Sequence, residues 1–343
     1  MSAASEPNAR PSRRWLRILA IALCVSLATA TAIGATAIWM LAPVNDRATE
    51  IRVDVASGSS LWRIAAQLED AGVVRSARAL VLLARWRGVA AKVRAGEYAL
   101  ASSWGTARVL DELVAGRVVT YEVVLPEGLT MVEIAARLDA ATITSAEAFL
   151  AVSRDPGVAR EFGVEGTSLE GYLFPETYRM PHGLSAKQVA RVLVDQFLAQ
   201  WAPLAGDASA SGLGMQQVVT LASIVEKETG AKEERPLVAS VFRNRLARGM
   251  RLESDPTTIY GIPNFDGNLR RSHLEDESNA WNTYRIAGLP PTPIANPGTA
   301  SLAAVLRPAT SEYLYFVAKG DGTHVFSRSY AEHLVNVAHY QRR

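Results

Sequence analysis

The sequence predicts an α+β protein: a single N-terminal membrane-spanning helix, then small α/β modules, then a mixed α+β domain. Three observations carry this. An uncharged apolar run follows Arg17, and two later segments share one strand–loop–helix pattern. From about Gly166 the chain changes to closely spaced aromatic, glutamate, proline and glycine motifs. Its 343 residues are enough for more than one domain, and an apolar share of 49% can fill a core. Basic and acidic residues nearly cancel, 36 against 34. That balance argues against a nucleic-acid partner, which would call for a strongly basic patch. The single cysteine, Cys24, excludes an intrachain disulfide or a cysteine zinc site. The five histidines (His182, His273, His324, His333, His339) lack ligand spacing such as HExxH. No metal and no cofactor is therefore expected.

The first element is the apolar run over residues 18–42. At ~1.5 Å per residue it is long enough to cross a hydrocarbon core of about 30 Å. Arg10, Arg13, Arg14 and Arg17 precede it, and Asn45 and Asp46 follow. The positive-inside bias keeps the tail, residues 1–17, in the cytoplasm and exports everything after Pro43. Trp15 and Trp39 sit near the ends, where amphipathic rings favour the interface. The triplet "ATA" at Ala28 to Ala30 offers a cleaved signal peptide as the alternative. The length of the run favours a retained anchor.

Next come the repeats. "SGSSLWRIAAQLEDAGVVRSARAL" begins at Ser57 and "EGLTMVEIAARLDAATITSAEAFL" begins at Glu127. Each places Ser60 or Thr130 as an N-cap ahead of an apolar-periodic helix. Each follows a β-prone lead-in, "IRVDV" from Ile51 or "YEVVL" from Tyr121, and precedes a second helical stretch. These units resemble LysM-type modules, which bind N-acetylated glycans in a shallow groove. Residues 48–118 are expected to form one such module. Residues 119–165 are expected to form a second one or a connecting repeat. A generic α/β repeat, with its caps serving folding alone, is the alternative. Between the helices of the two repeats a strand ending near Leu100 and a helix over residues 106–115 are predicted.

Residues 166–343 form the last expected domain. "SLEGYLFPETYRMP" is followed by a helix over 185–202, a Gly/Ser/Asp-rich linker over 206–214 and a helix containing "LASIVEKETG" (Leu221–Gly230). Turn-rich segments follow, then "EYLYFVAKGDGTHVFS", a β-hairpin turned by Gly-Asp-Gly. A helix from Tyr330 to Tyr340 closes the chain. In "LASIVEKETG", stepping about 100° per residue puts Val218, Leu221, Ile224 and Val225 on one stripe. Glu228 falls within about 20° of its centre and Glu226 about 140° away, beside Ser223 and Lys227. Glu226 is thus expected on the solvated face and Glu228 against apolar walls. Desolvation raises a carboxyl pKa and suits a general acid working near neutral pH. Two alternatives stand beside this: Glu228 paired with Arg243 or Arg245, or a helix frayed before it near Gly230.

Together the motifs resemble the endolytic murein transglycosylases, the YceG-like family. The carriers are "EGYLFPETY" (Glu170–Tyr178), "LASIVEKET" (Leu221–Thr229), "VASVFRNRL" (Val238–Leu246) and "GMRLESDPTTIYG" (Gly249–Gly261). "NTYRIAGLPPTPIANPG" (Asn282–Gly298) and "YLYFVAKGDGTHVFS" (Tyr313–Ser327) complete the set. The resemblance implies a single-pass protein of the bacterial inner membrane, with a LysM-like module and an extracytoplasmic catalytic domain. It implies cleavage of the β-1,4 bond between N-acetylmuramic acid and N-acetylglucosamine within glycan strands, leaving a 1,6-anhydromuramyl end. Peptidoglycan strands and membrane lipid are the implied partners, with peptidoglycan synthases (penicillin-binding proteins) as a functional tie. The family's catalytic glutamate, the second of the "EKE" motif, corresponds to Glu228. Asn282, Thr283 and Tyr284 are expected to hydrogen-bond an N-acetyl group or to steady an oxocarbenium-like centre. Asp255, Thr257 and Tyr260, with Glu170 and Tyr172, are expected to line the cleft. Each of these could instead be a turn former or a core residue. An Asp255 close to Glu228 would bring back a two-carboxylate hydrolase.

Overall fold

The computed structural model describes residues 13–341. Most of the expected cytoplasmic tail, including Arg10, lies outside the described residues. The chain divides into two compact units, one ending at Val119 and the other starting at Thr120.

The first unit opens with helix α1 (Arg13–Leu41). Within it, Arg14–Leu41 is apolar and long enough to cross a membrane, and its most apolar 18-residue stretch is not buried in the protein. A small βααβ unit with one further helix follows: β1 (Glu50–Val55), α2 (Leu61–Asp70), α3 (Ala77–Trp86), β2 (Gly96–Ala101) and α4 (Thr106–Ala115). β1 and β2 pair antiparallel with Val53 opposite Tyr98. Alternation along β1 sends Val53 and Val55 inward, while Arg52 and Asp54 face out. They meet Ile64 and Leu68 of α2, Leu80 of α3 and Leu113 of α4 in one core. Ser60 caps α2 by accepting from the amide of Arg63, as its position predicted.

The second unit begins with the same pattern: β3 (Tyr121–Val124), α5 (Met131–Ala140), α6 (Ala146–Ser153), an added α7 (Pro156–Phe162) and β4 (Thr177–Met180). Thr130 caps α5 in a reciprocal capping box with Glu133. β3 pairs antiparallel with β4, Val123 opposite Tyr178, so this pairing crosses the boundary expected at residues 165/166. The same core that holds Val123 and Ile134 continues through Leu193 and Leu221 to Val305.

The remaining elements are α8 (Ala186–Trp201), α9 (Ala205–Ser211), α10 (Met215–Glu228), α11 (Arg235–Ala247), α12 (Asp255–Tyr260), α13 (Arg271–Glu275) and α14 (Thr299–Leu306). The hairpin β5 (Tyr315–Ala318) and β6 (His324–Ser327) and helix α15 (Tyr330–Tyr340) complete the unit. Two expectations need correction here. The segment expected as a linker over 206–214 is mostly helix α9, which ends where Gly212 takes a left-handed φ of 72°. Helix α10 has no solvated face along its middle: every residue from Val218 to Val225 is buried, Ser223 included, while Lys227 stays exposed. Its neighbours α11 and α14 bring Arg235 and Gly298, at their starts, onto Glu226.

Candidate active site

Helix α10 stops at Glu228 because Thr229 turns extended, with φ −135° and ψ 129°. The carboxylate thus sits at the partially negative end of a buried helix, which disfavours its charged form. The segment between α11 and α12 completes the setting. Arg245 donates to the carbonyls of Arg251 (3.1 Å) and Leu252 (2.9 Å) and to Glu253 Oε2 (3.1 Å). The backbone of Thr283 accepts from the amide of Glu253, and Thr283 Oγ1 accepts from that of Ser254 at 2.9 Å. So held, Glu253 takes a left-handed φ of 51°. A non-glycine residue adopts that conformation only under constraint. Ser254 is then aimed at the helix end, and its hydroxyl donates to Glu228 Oε1 at 2.5 Å.

Desolvation is the main force on Glu228 and pushes its carboxyl up to about 7. The nearby charge of Asp255 adds to the rise, while the Ser254 hydrogen bond and Arg245 oppose it. Glu228 lines a cavity of about 500 Å³ together with Arg245, Asp255, Tyr284, Tyr315 and His333. That volume is in the range of small-molecule sites. Tyr284 donates to Asp255 Oδ1 at 2.7 Å, and its own hydroxyl is driven upward by burial and by that carboxylate. On the wall formed by β5 and α15, the rings of Tyr315 and His333 stack at 5.2 Å. Arg245 lies 5.0 Å over Tyr315. Burial and the Arg245 charge lower the His333 pKa.

Of the residues picked from the sequence, Glu228, Asp255 and Tyr284 meet at this cavity. The others do not line it. Thr257 and Thr283 are fully buried and bond each other at 2.8 Å, and Thr257 also donates to the carbonyl of Ser254. They support the wall from behind. Asn282 is buried with its amide already used. Its Nδ2 donates to the carbonyls of His273, Leu274 and Asp276, and its Oδ1 accepts from Thr258. It holds α12 and α13 in place and has nothing left for an N-acetyl group.

Glu170, Tyr172 and Tyr260 belong to a second buried cluster. Glu170 accepts from the amide of Met131, from Tyr260 Oη and from Asn296 Nδ2. Its carboxyl is raised to about 7 by burial, against the pull of those donors. Asn296 Oδ1 in turn accepts from the amides of Gly171 (2.9 Å) and Leu173 (2.8 Å). Tyr172 is fully buried edge-on to Phe197. These residues pin α5 and the 170–173 turn to the segment before α14.

Glu226 also departs from expectation. Its side chain is only 4% exposed and pairs with Arg235 Nη2 at 2.5 Å. Its other oxygen accepts from the amide of Gly298 at 3.0 Å. Arg235 further bonds Glu127 at 3.1 Å. The wheel failed for Glu226 because its partners arrive from distant segments. Glu228 does not pair with Arg243; Arg245 shares its cavity while bonding Glu253 and backbone carbonyls. Sequence reasoning missed Ser254 and the aromatic wall. For Ser254 a signal existed in its place just before Asp255 in "ESDPTT". Tyr315 stood inside the quoted motif Tyr313–Ser327 with nothing to mark it as a site residue, and for His333 there was no signal, because only folding brings α15 beside Arg245.

The YceG-like family profile matches residues 53–339. A Bacillus subtilis protein named endolytic murein transglycosylase is 30% identical over 311 residues, covering 86% of each chain. A Streptococcus pneumoniae protein of the same name is 29% identical, covering 84% of this chain; the match spans 58% of that longer protein. A 2.6 Å crystal structure of a YceG-like protein from Listeria monocytogenes superposes with a TM-score of 0.59. It is 30% identical, and the match covers 84% of this chain and 100% of that one. With the family profile running from the first module to the last helix, this chain belongs to the YceG-like family.

Proposed function

We propose that the chain is a membrane-anchored lytic transglycosylase that cuts peptidoglycan glycan strands internally. The observation that carries the reading is the desolvated carboxyl of Glu228, raised to about 7 and facing a cavity. Near neutral pH such a group holds a proton to donate and can take one back. In the reaction, Glu228 protonates the oxygen linking N-acetylmuramic acid to N-acetylglucosamine. As that bond breaks, the C6 hydroxyl of the muramyl residue attacks its own anomeric carbon. The Glu228 carboxylate then accepts the hydroxyl proton. One C–O bond is broken and one formed, no water is consumed, and the acid is regenerated. The product ends in a 1,6-anhydromuramyl sugar. In the cell this cutting would limit strand elongation, next to the peptidoglycan synthases. α1 would hold the protein in the inner membrane with its N-terminus cytoplasmic and both later units outside. The first unit, whose sequence resembles a LysM-type module, would bind glycan.

A second reading has its own support. Asp255 lines the same cavity and carries the charge that helps raise Glu228. Paired carboxylates about a cavity are what a hydrolysing glycosidase uses. The donation from Tyr284 occupies Asp255 Oδ1, which favours a supporting role over activation of water. Mass analysis of products from the purified full-length protein on peptidoglycan separates the readings. Anhydro ends are expected. Reducing ends, heavier by one water, would mean hydrolysis, and uncut strands would leave a glycan-binding protein.

A further inference from the structure

Within the first unit, the end of α1 and the outer face of α3 form one continuous apolar surface. Ala37, Met40 and Leu41 from α1 adjoin Ala79, Leu82, Leu83 and Trp86 from α3 around a groove of about 400 Å³. Two of these side chains are unusually bare: Leu82 is 66% exposed and Trp86 84%. Such residues are seldom left to water together on a small module. Arg78 and Arg85 lie on the same exposed side of α3. At helical spacing, Arg78, Leu82, Arg85 and Trp86 occupy one stripe, with the apolar residues toward α1. The contact between the two helices is fixed. Arg75, just before α3, donates to the carbonyl of Pro43 at 2.7 Å and lies 5.0 Å over the Trp39 ring.

We infer that this face of α3 lies in the interface of the bilayer that α1 crosses, so the first unit rests on the membrane. The inference rests on the reading of α1 as a retained anchor. At ~1.5 Å per residue a helix of 29 residues extends about 43 Å, beyond a hydrocarbon core of about 30 Å. Its last turn therefore stands among the headgroups, and α3 is held beside that turn. Trp is the side chain best suited to this depth, and arginines beside it meet anionic headgroups. The occupant is thus the lipid surface. The geometry asks for no second protein.

The test uses the full chain in vesicles of phosphatidylethanolamine and phosphatidylglycerol, with acyl chains brominated close to the headgroup. Emission is compared between the natural protein and Trp86→Phe, so that the difference reports Trp86. The expected result is that the Trp86 signal loses most of its intensity in brominated lipid. Leu82→Glu, with helix content unchanged by circular dichroism, should restore much of it. If Trp86 is not quenched while the emission remaining in Trp86→Phe is, the anchor stands and the inference fails. If neither is quenched, the anchor reading fails with it. A second copy seated on this face would leave Trp86 unquenched and its emission dependent on protein density in the bilayer, which would also overturn the inference.

Discussion

Glu228 and Glu226 stand two residues apart and are both shielded, yet their chemistry differs because their partners differ. Glu226 has a guanidinium and a backbone amide, so its charge is compensated. Glu228 has a single hydroxyl donor and a neighbouring negative charge. Replacing Glu228 by Gln should lower turnover on peptidoglycan by about 10²–10⁴-fold with the fold intact, the range expected for losing a general acid–base. Glu226→Gln should instead act on stability. It weakens the pair with buried Arg235 and should cost about 1–3 kcal/mol in denaturant melts. Equal loss of activity in both variants without unfolding would contradict the division of roles. Ser254 gives a finer test. Its hydroxyl donates to the carboxylate and so stabilises the charged form, and Ser254→Ala should raise the Glu228 pKa further. The acid form then persists to higher pH, and the alkaline limb of the rate–pH profile should move upward while the maximal rate falls. Ser254→Thr, which keeps the hydroxyl, should restore the profile; an unmoved limb in the alanine variant would remove Ser254 from the site. The desolvated setting of Glu228 was legible in the sequence because the apolar stripe that predicts it lies within one helix. The pairing of Glu226 was not, since Arg235 and Gly298 meet it only after α11 and α14 have packed.

At the scale of elements, local signals were the readable ones. Ser60 and Thr130 cap α2 and α5 as their positions suggested, because a cap needs only the amides of the next turn. The hairpin from Tyr315 and helix α15 were also readable, from alternation and periodicity. What the sequence hid was the closing strand of the second βααβ unit, since β4 follows an extra helix and a long aromatic turn. Glu170 shows why that turn is so dense. Both its oxygens accept from the amide of Met131, at 3.0 and 3.1 Å, so it caps α5 from a remote segment. The unfolded carboxyl titrates near 4.5 and the folded one near 7. Between those pH values the folded state holds a proton that the unfolded state has released. Stability from this group is therefore complete at low pH and falls by about 1.4 kcal/mol per unit as pH rises toward 7. Glu228 contributes with the same sign, so the comparison needed is Glu170→Gln against the natural protein. In urea melts at pH 5, 6 and 7 the variant should show a shallower decline. An identical slope would mean that Glu170 is already ionised in the fold.

For the whole molecule, the question is how much of the chain the chemistry needs. A single apolar core runs from Val123 on β3 to Val305 on α14 and includes the helix that ends in Glu228. Every described residue lining the cavity lies beyond Thr120. The first unit closes a separate core of its own around Leu68, Leu80 and Tyr98. Cutting between Val119 and Thr120 therefore removes no residue from the cavity wall and opens neither core. A fragment starting at Thr120 should fold, with a cooperative melt and native near-ultraviolet circular dichroism. On soluble glycan strands it should cut at a rate within a few-fold of the full chain, since the acid, Ser254 and the aromatic wall are all present. On intact wall material at the membrane it should be much slower. There the reaction depends on local concentration, which tethering raises and a free fragment lacks. A fragment that folded but did not cut soluble strands would place an essential group in the first unit and refute this partition. One that failed to fold would show that the Val123–Val305 core is insufficient without its neighbour.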